Sequence, residues 1–136
     1  MEEEERDALA ILTMLVGVST VDGKIDDREL NMISRMAKKM NLSDRVRDQV
    51  VSGKIYVEIE PPAGEWERIP FFQMCVMTSG VNGDFDEQEM LFCKRLGMKL
   101  GLQDEVLDNV IALFKQYFPD RVPIEELRKA YQLGHN

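Results

Sequence analysis

Two segments of the chain match when the sequence is aligned with itself at an offset of 60 residues. VDGKIDDREL, at residues 21–30, falls on VNGDFDEQEM, at residues 81–90. The agreement continues on both sides, with identical pairs at Met14/Met74, Val16/Val76, Ser19/Ser79, Arg35/Arg95, Lys39/Lys99, Leu42/Leu102, Asp44/Asp104, Val46/Val106, Asp48/Asp108 and Val50/Val110. A repeat of this length spans one supersecondary unit. It predicts a pseudo-twofold internal duplication, with units at about residues 8–52 and 68–117.

The periodicity inside each copy is helical. Apolar residues recur at steps of three and four over residues 30–40, and again over residues 90–100. This spacing is typical of an amphipathic helix with one buried face. Denser apolar segments, at residues 8–18 and 71–76, precede these helices and predict two buried central helices.

The breaks NLSD and GLQD predict a third helix in each copy. Ser43 and Gln103, or the aspartates that follow them, suit the N-cap position. Pro123 suits the first turn of a last helix over about residues 123–133, with Ile124, Leu127 and Tyr131 on one side. The pattern therefore predicts an all-α fold of about seven helices.

The connector at residues 53–64 is the one sizeable segment without helical periodicity, and it contains two consecutive prolines. We expect a packed loop here, because no partner strand is visible elsewhere. Pro70 predicts that the next helix either begins at that residue or kinks there. A chain of this size forms one domain by default, so residues 1–136 are predicted to be a single domain.

The repeated Asp-Gly motif has a local interpretation as helix punctuation. A glycine can end the preceding helix in the left-handed conformation, an aspartate can cap the next helix, and a glutamate three residues later can complete a capping box. The residue pairs for these three roles are Gly23 and Gly83, Asp26 and Asp86, and Glu29 and Glu89.

The same motif also suggests a binding site for a divalent cation or a small polar ligand, since its side chains offer hard oxygen atoms. The first copy has a net charge of −2 and the second a net charge of −4. The motif is not an EF-hand, because a loop counted from Asp22 has Asp27 at its sixth place and Ile33 at its twelfth. The candidate ligands are Asp22, Asp26, Glu29, Asn82, Asp86 and Glu89.

Symmetry adds a hypothesis about how these residues are arranged. A duplicated unit packs most simply about a pseudo-dyad, and each motif follows one of the apolar helices. If the ends of those helices lie near the axis, the two turns face one groove and form a single composite site.

Composition excludes several classes of function. The formal net charge of −8 argues against binding to nucleic acid or to anionic lipid. The single histidine, His135, stands next to the last residue, and no nucleophile elbow or phosphate-binding loop is present, so we expect no enzyme activity and no required cofactor. Cys75 and Cys93 are expected to be buried, reduced thiols, and no apolar run is long enough to cross a membrane. These features favour a cytoplasmic protein.

The doubled pattern of an apolar helix, an A/V-D-G-x-I/F-D/S-x-x-E motif and an amphipathic helix resembles the TerB-like tellurite-resistance domain, from Leu9 to about Leu133. The resemblance implies a seven-helix, pseudo-twofold bundle in the bacterial cytoplasm. It also implies a role in metal binding or ligand sensing during stress responses. Asn82 departs from the family pattern, which has aspartate there.

A protein-interaction or self-association module is the alternative function, in which the Asp-Gly motifs only cap helices. Met32, Met36 and Met40 can line an adaptable groove for a partner helix or fill the core. Met90 and Met98 are expected on or near buried stripes. Trp66 can anchor the connector or mark a contact surface.

Overall fold

A computed structural model describes residues 2–19, 24–58, 60–78 and 87–134 of the chain. Within these residues the structure is all-helical, with seven helices and no strand, which confirms the predicted class. The helices are α1 (Glu3–Ser19), α2 (Asp27–Lys39), α3 (Asp44–Val51), α4 (Arg68–Thr78), α5 (Glu87–Lys99), α6 (Asp104–Tyr117) and α7 (Ile124–Gly134).

The chain divides into two compact units. The first comprises Met1–Glu60 with Thr78–Gly80, and the second comprises Pro61–Met77 with Val81–Asn136. The first unit therefore contains α1, α2 and α3, and the second contains α5, α6, α7 and nearly all of α4. The internal duplication and the single-domain organisation stay predictions.

In the first unit, α1 is apolar around most of its circumference, and most of its residues from Ala8 onward are buried. It begins at Glu3, five residues before the apolar segment that predicts it. Acidic side chains in a first helical turn interact favourably with the helix dipole, which explains the earlier start. Helices α2 and α3 pack against α1 and bury Ile33 and Val50.

The turns that end α2 and α5 have the same backbone geometry. After α2, Asn41 adopts φ 62°, and the amide of Leu42 donates to the carbonyl of Ala37 over 2.9 Å. After α5, Gly101 adopts φ 86°, and the amide of Leu102 makes the corresponding bond at 3.0 Å. A left-handed residue followed by this long-register bond is the Schellman ending of a helix. The self-alignment therefore pairs turns of equal geometry at these positions.

In the second unit, α4 begins at Arg68, so Pro70 lies in its first turn. The helix therefore starts two residues before Pro70, where a proline removes no intrahelical bond. The guanidinium of Arg68 donates to the carbonyls of Pro62 at 2.9 Å, Ala63 at 3.5 Å and Leu100 at 3.1 Å. One cation thus joins the connector to the end of α5, where carbonyls lack helical partners.

An aromatic contact joins α4 and α6 in the core of the second unit. Phe72 is fully buried, and its ring centroid lies 5.6 Å from that of Phe114. The side-chain oxygen of Gln73 accepts a hydrogen bond of 2.8 Å from the amide of Val122, which satisfies a buried polar pair before α7.

Helix α7 differs from its prediction in two respects. Pro123 precedes its first residue, and the proline carbonyl accepts from the amides of Glu126 and Leu127 at 3.0 and 3.1 Å. Leu127 is buried as expected, but Ile124 is 60% exposed. The apolar stripe of α7 therefore continues through Ala130 and does not begin at its first residue.

The connector contains no strand in its described residues, 53–58 and 60–64, so the prediction of a loop is confirmed. None of these residues is buried, so the loop is less packed than expected. Trp66, just after it, is half-buried. Its ring lies 5.9 Å from that of Tyr131, and the guanidinium of Arg128 lies 5.2 Å from its centroid. These contacts with α7 favour the anchoring role of Trp66.

The methionines separate into two groups. Met32 and Met36 are each 2% exposed, so they fill the core and do not line an open groove. Met40 is half-buried. Met98 is 51% exposed and so does not fill the core, whereas Met90, at 37%, lies at the edge of the buried stripe of α5. The burial of a methionine is hard to predict from sequence, because its unbranched side chain suits both the core and the surface.

Candidate functional site

The first acidic motif contains a complete capping box. Asp26 has extended backbone, and its carboxylate accepts a hydrogen bond of 2.7 Å from the amide of Glu29. In return, the amide of Asp26 donates to the Glu29 carboxylate over 3.2 Å. These two bonds satisfy donors that a helix end leaves without intrahelical partners. The predicted capping role is confirmed for this copy.

Replacing Asp26 with alanine is expected to lower the free energy of unfolding by about 1 kcal/mol, because the cap is lost. Asp26→Asn retains an oxygen acceptor and is expected to cost much less. Urea denaturation of the two variants and the unaltered protein measures the difference. Equal losses in both variants would show that the carboxylate charge, and not the cap, matters at this position.

The second acidic motif is described only from α5 onward. Asn82 and Asp86, like Asp22 of the first copy, lie outside the described residues. Glu89 is described and is 8% exposed, and the Oε2 atom of its carboxylate has no contact with solvent. The second copy thus buries a carboxylate at the position where the first copy has the half-buried Glu29.

The negative charge of Glu89 affects a neighbouring thiol. The burial of Cys93, together with the smaller effect of the Glu89 charge, raises the pKa of Cys93 to about 12. Cys93 and Cys75 are both free and buried, as predicted. A thiol with so high a pKa is a poor nucleophile at neutral pH.

We expect neither cysteine to react with a thiol-reactive disulfide reagent at pH 8 until the chain is unfolded. An unfolded thiol ionises near pH 8.5. The protonated, buried Cys93 therefore contributes stability that is complete below that pH and is lost as the pH rises toward about 12. Fast labelling in the native state would contradict the burial. The variants Cys75→Ala and Cys93→Ala assign the sites.

The capping box brings Asp26 and Glu29 together at the start of α2. Among residues 2–19, 24–58, 60–78 and 87–134, no three histidine, cysteine or acidic side chains form a group that could hold a metal ion. The composite site depends on Asp22 and Asp86 outside these ranges, so it stays a prediction.

An ion-pair cluster between α5 and α6 was not singled out by the sequence. The ammonium of Lys94 lies 2.8 Å from the carboxylate of Asp104 and 3.0 Å from that of Asp108. Hydrogen bonds to Asp104 and then Asp108 raise the pKa of Lys94. Helical spacing predicts that the two aspartates share one face of α6, but not that Lys94 faces them.

The outer face of α5 carries apolar side chains in contact with solvent. Leu91 is 50% exposed and Met98 is 51% exposed. Arg95 lies between them and is half-buried, and Lys99 is exposed. We refer to these four residues as the α5 outer face. Comparison with α2 could have identified it, because the aligned residues Asn31 and Lys38 are polar.

No helix in the described part of the chain combines the length and the apolar character needed to cross a membrane. Comparison of the chain with protein-family models, with curated proteins and with solved structures gave no match. The resemblance to the TerB-like domain therefore depends on the sequence motifs alone.

Proposed function

We propose that this chain is a non-enzymatic, TerB-like protein-interaction module in which the acidic motifs cap helices. The capping box of Asp26 and Glu29 is the observation that supports this most directly. Both side chains already bind backbone amides of their own helix, so the motif has a structural role that needs no ligand. The solvent-exposed Leu91 and Met98 give the interaction a surface.

The proposal keeps the setting that the resemblance implies, which is a bacterial cytoplasmic stress response. It assigns the chain no catalytic residue and no role in tellurite chemistry. The buried thiols support this, because the raised pKa of Cys93 makes it an inert side chain.

Affinity capture from cell extract, in the presence and absence of chelator, tests this function. We expect one protein to be retained equally in both conditions, and to bind again when both components are purified. The function would be overturned if no purified component bound the chain. It would also be overturned if the captured component dissociated on chelation, because the interaction would then depend on an ion.

Divalent-cation binding is the second candidate function, and the burial of Glu89 favours it. Four acidic residues lie within 84–89, and Glu89 is 8% exposed. Gathering negative charge around a buried carboxylate is costly, and a bound cation offsets that cost. The proposed ligands are those of the two motifs, with Asn82 and Asp86 joining Glu89 in the second copy.

Titration of chelator-stripped protein with calcium, magnesium, manganese and zinc salts tests the second candidate by amide NMR. A specific site requires that one ion shift the amides next to both motifs at submillimolar concentration. It should also raise the free energy of unfolding by about 2.7 kcal/mol at a hundredfold excess over Kd. Glu89→Gln should remove most of this gain. Amides that do not move below millimolar concentration would exclude a specific site.

A further inference from the structure

A thioether on α5 contacts an ammonium on α6. The ammonium of Lys115 donates a hydrogen bond of 3.2 Å to the sulfur of Met90. An ammonium has three N–H donors, so this bond is compatible with the further interaction that Lys115 makes within the chain. A thioether sulfur is only a weak acceptor. The contact therefore matches a strong, charged donor with a weak acceptor.

The aligned place in the first unit shows that packing does not require the sulfur. Leu30 occupies that place on α2, and Leu30 and Met90 are both 37% exposed. A leucine is thus sufficient for a helix that exposes this side chain to the same extent. The thioether adds a reaction that leucine lacks, which is oxidation to the sulfoxide.

The exposure of Met90 makes its sulfur accessible to an oxidant in solution. The core methionines Met32 and Met36 are each 2% exposed and are protected. With hydrogen peroxide, a sulfur lone pair attacks one peroxide oxygen, so that an S–O bond forms as the O–O bond breaks. The proton of the attacked oxygen moves to the leaving oxygen, which departs as water. The sulfur loses two electrons and the peroxide gains them.

Oxidation turns the weak acceptor into a strong one. A sulfoxide oxygen carries partial negative charge, and hydrogen bonds from a charged donor are stronger than those between neutral groups. Lys115 has a flexible stem and already contacts this side chain, so its ammonium can follow the new oxygen. Sulfoxide formation disrupts a core because it makes an apolar side chain polar. At Met90 the oxygen meets a cation and solvent instead.

We propose that Met90 is a site of reversible oxidation and that Lys115 binds its sulfoxide oxygen. Oxidation then strengthens the link between α5 and α6, which the ion pairs of Lys94 also join. A methionine sulfoxide reductase with a thiol reductant restores the thioether. This inference goes beyond the proposed interaction function and does not depend on it.

The test begins with a variant that carries Met77→Leu and Met98→Leu, which removes two other exposed methionines. The folded variant is treated with dilute hydrogen peroxide, and peptide mass spectrometry assigns the modified residues. We expect Met90 to gain one oxygen before Met32 and Met36 do. Oxidation should raise the thermal midpoint of the variant by about 2–4 °C, and treatment with sulfoxide reductases should reverse the rise.

Three further changes, each added to the same variant, assign the effect. Met90→Leu controls for oxidation at other methionines, and its midpoint should not rise with peroxide. Lys115→Leu removes the donor from an exposed position, and the rise should disappear. Lys115→Arg keeps a charged donor and should restore it. Circular dichroism confirms that each variant is folded before treatment.

Three outcomes would overturn the inference. In the first, Met90 is not oxidised until the buried methionines are oxidised too. In the second, oxidation at Met90 leaves the thermal midpoint unchanged or lowers it while Lys115 is present. In the third, the midpoint rises equally in the Lys115→Leu variant, which would show that the ammonium does not bind the sulfoxide.

Discussion

Replacing Phe72 with alanine is expected to lower the free energy of unfolding by about 3–5 kcal/mol. Phe72 is fully buried on α4, and its ring packs against Phe114 of α6. Truncation removes apolar surface from the core and leaves a cavity, because close-packed neighbours relax only partly. Urea denaturation monitored by circular dichroism measures the loss.

Phe71→Ala is the matched control, since it removes the same side chain from the adjacent, only half-buried position. We expect a clearly smaller loss there. Similar losses in the two variants would contradict the orientation of α4, because a rotation of the helix would exchange the buried and half-buried positions.

Replacing Met32 with lysine is expected to destabilise the protein by about 4 kcal/mol or more at pH 7. Met32 is 2% exposed on α2, so an ammonium there would lose its hydration. A buried lysine can have a pKa near 5 to 6, and keeping it neutral at pH 7 has a free-energy cost of this size. The prediction separates core packing from the open groove that the methionines of α2 also suggested.

Asn31→Lys is the control, because it introduces the same charge at the adjacent exposed position. We expect little change in its thermal midpoint. If Met32→Lys were as stable as Asn31→Lys, the side chain of Met32 would be open to solvent, and the groove interpretation of α2 would be restored.

Much of the helical pattern follows from local chemistry. The stripe over residues 30–40 predicts α2, and Asp26 and Ser43 accept from the amides of Glu29 and Val46 as N-caps should. Gln103 also occupies an N-cap position, but its side chain makes no capping hydrogen bond. A glutamine side chain is longer than those of the preferred capping residues, so its role was harder to predict.

Burial was predictable only in part, because it depends on which helix covers a given face. Leu30 and Met90 occupy aligned places in the apolar stripes, and both are exposed. Periodicity gives the direction of an apolar stripe but not its width. The burial of residues at the edge of a stripe is therefore the hardest to predict. Comparison with α2 marks Leu91 and Met98 of α5 as unusual, but only the fold shows that both side chains are exposed.

The candidate site was also predictable only in part. Capping by Asp26 and Glu29 could be predicted because it depends on residues three apart in sequence. A shared ion between the motifs depends on the placement of Asp22 and Asp86, which no local rule determines. The ion pairs of Lys94 likewise depend on the packing of α5 against α6.

One measurement tests the central claim most directly. It is the affinity of the purified, captured partner for this protein, first with chelator and then with each of four divalent cations. If the chain is an interaction module whose acidic motifs only cap helices, the Kd is the same in all of these solutions at constant ionic strength. A complex that dissociates with chelator and forms again with one cation would contradict the account. In that case the acidic motifs, rather than the α5 outer face, would control binding.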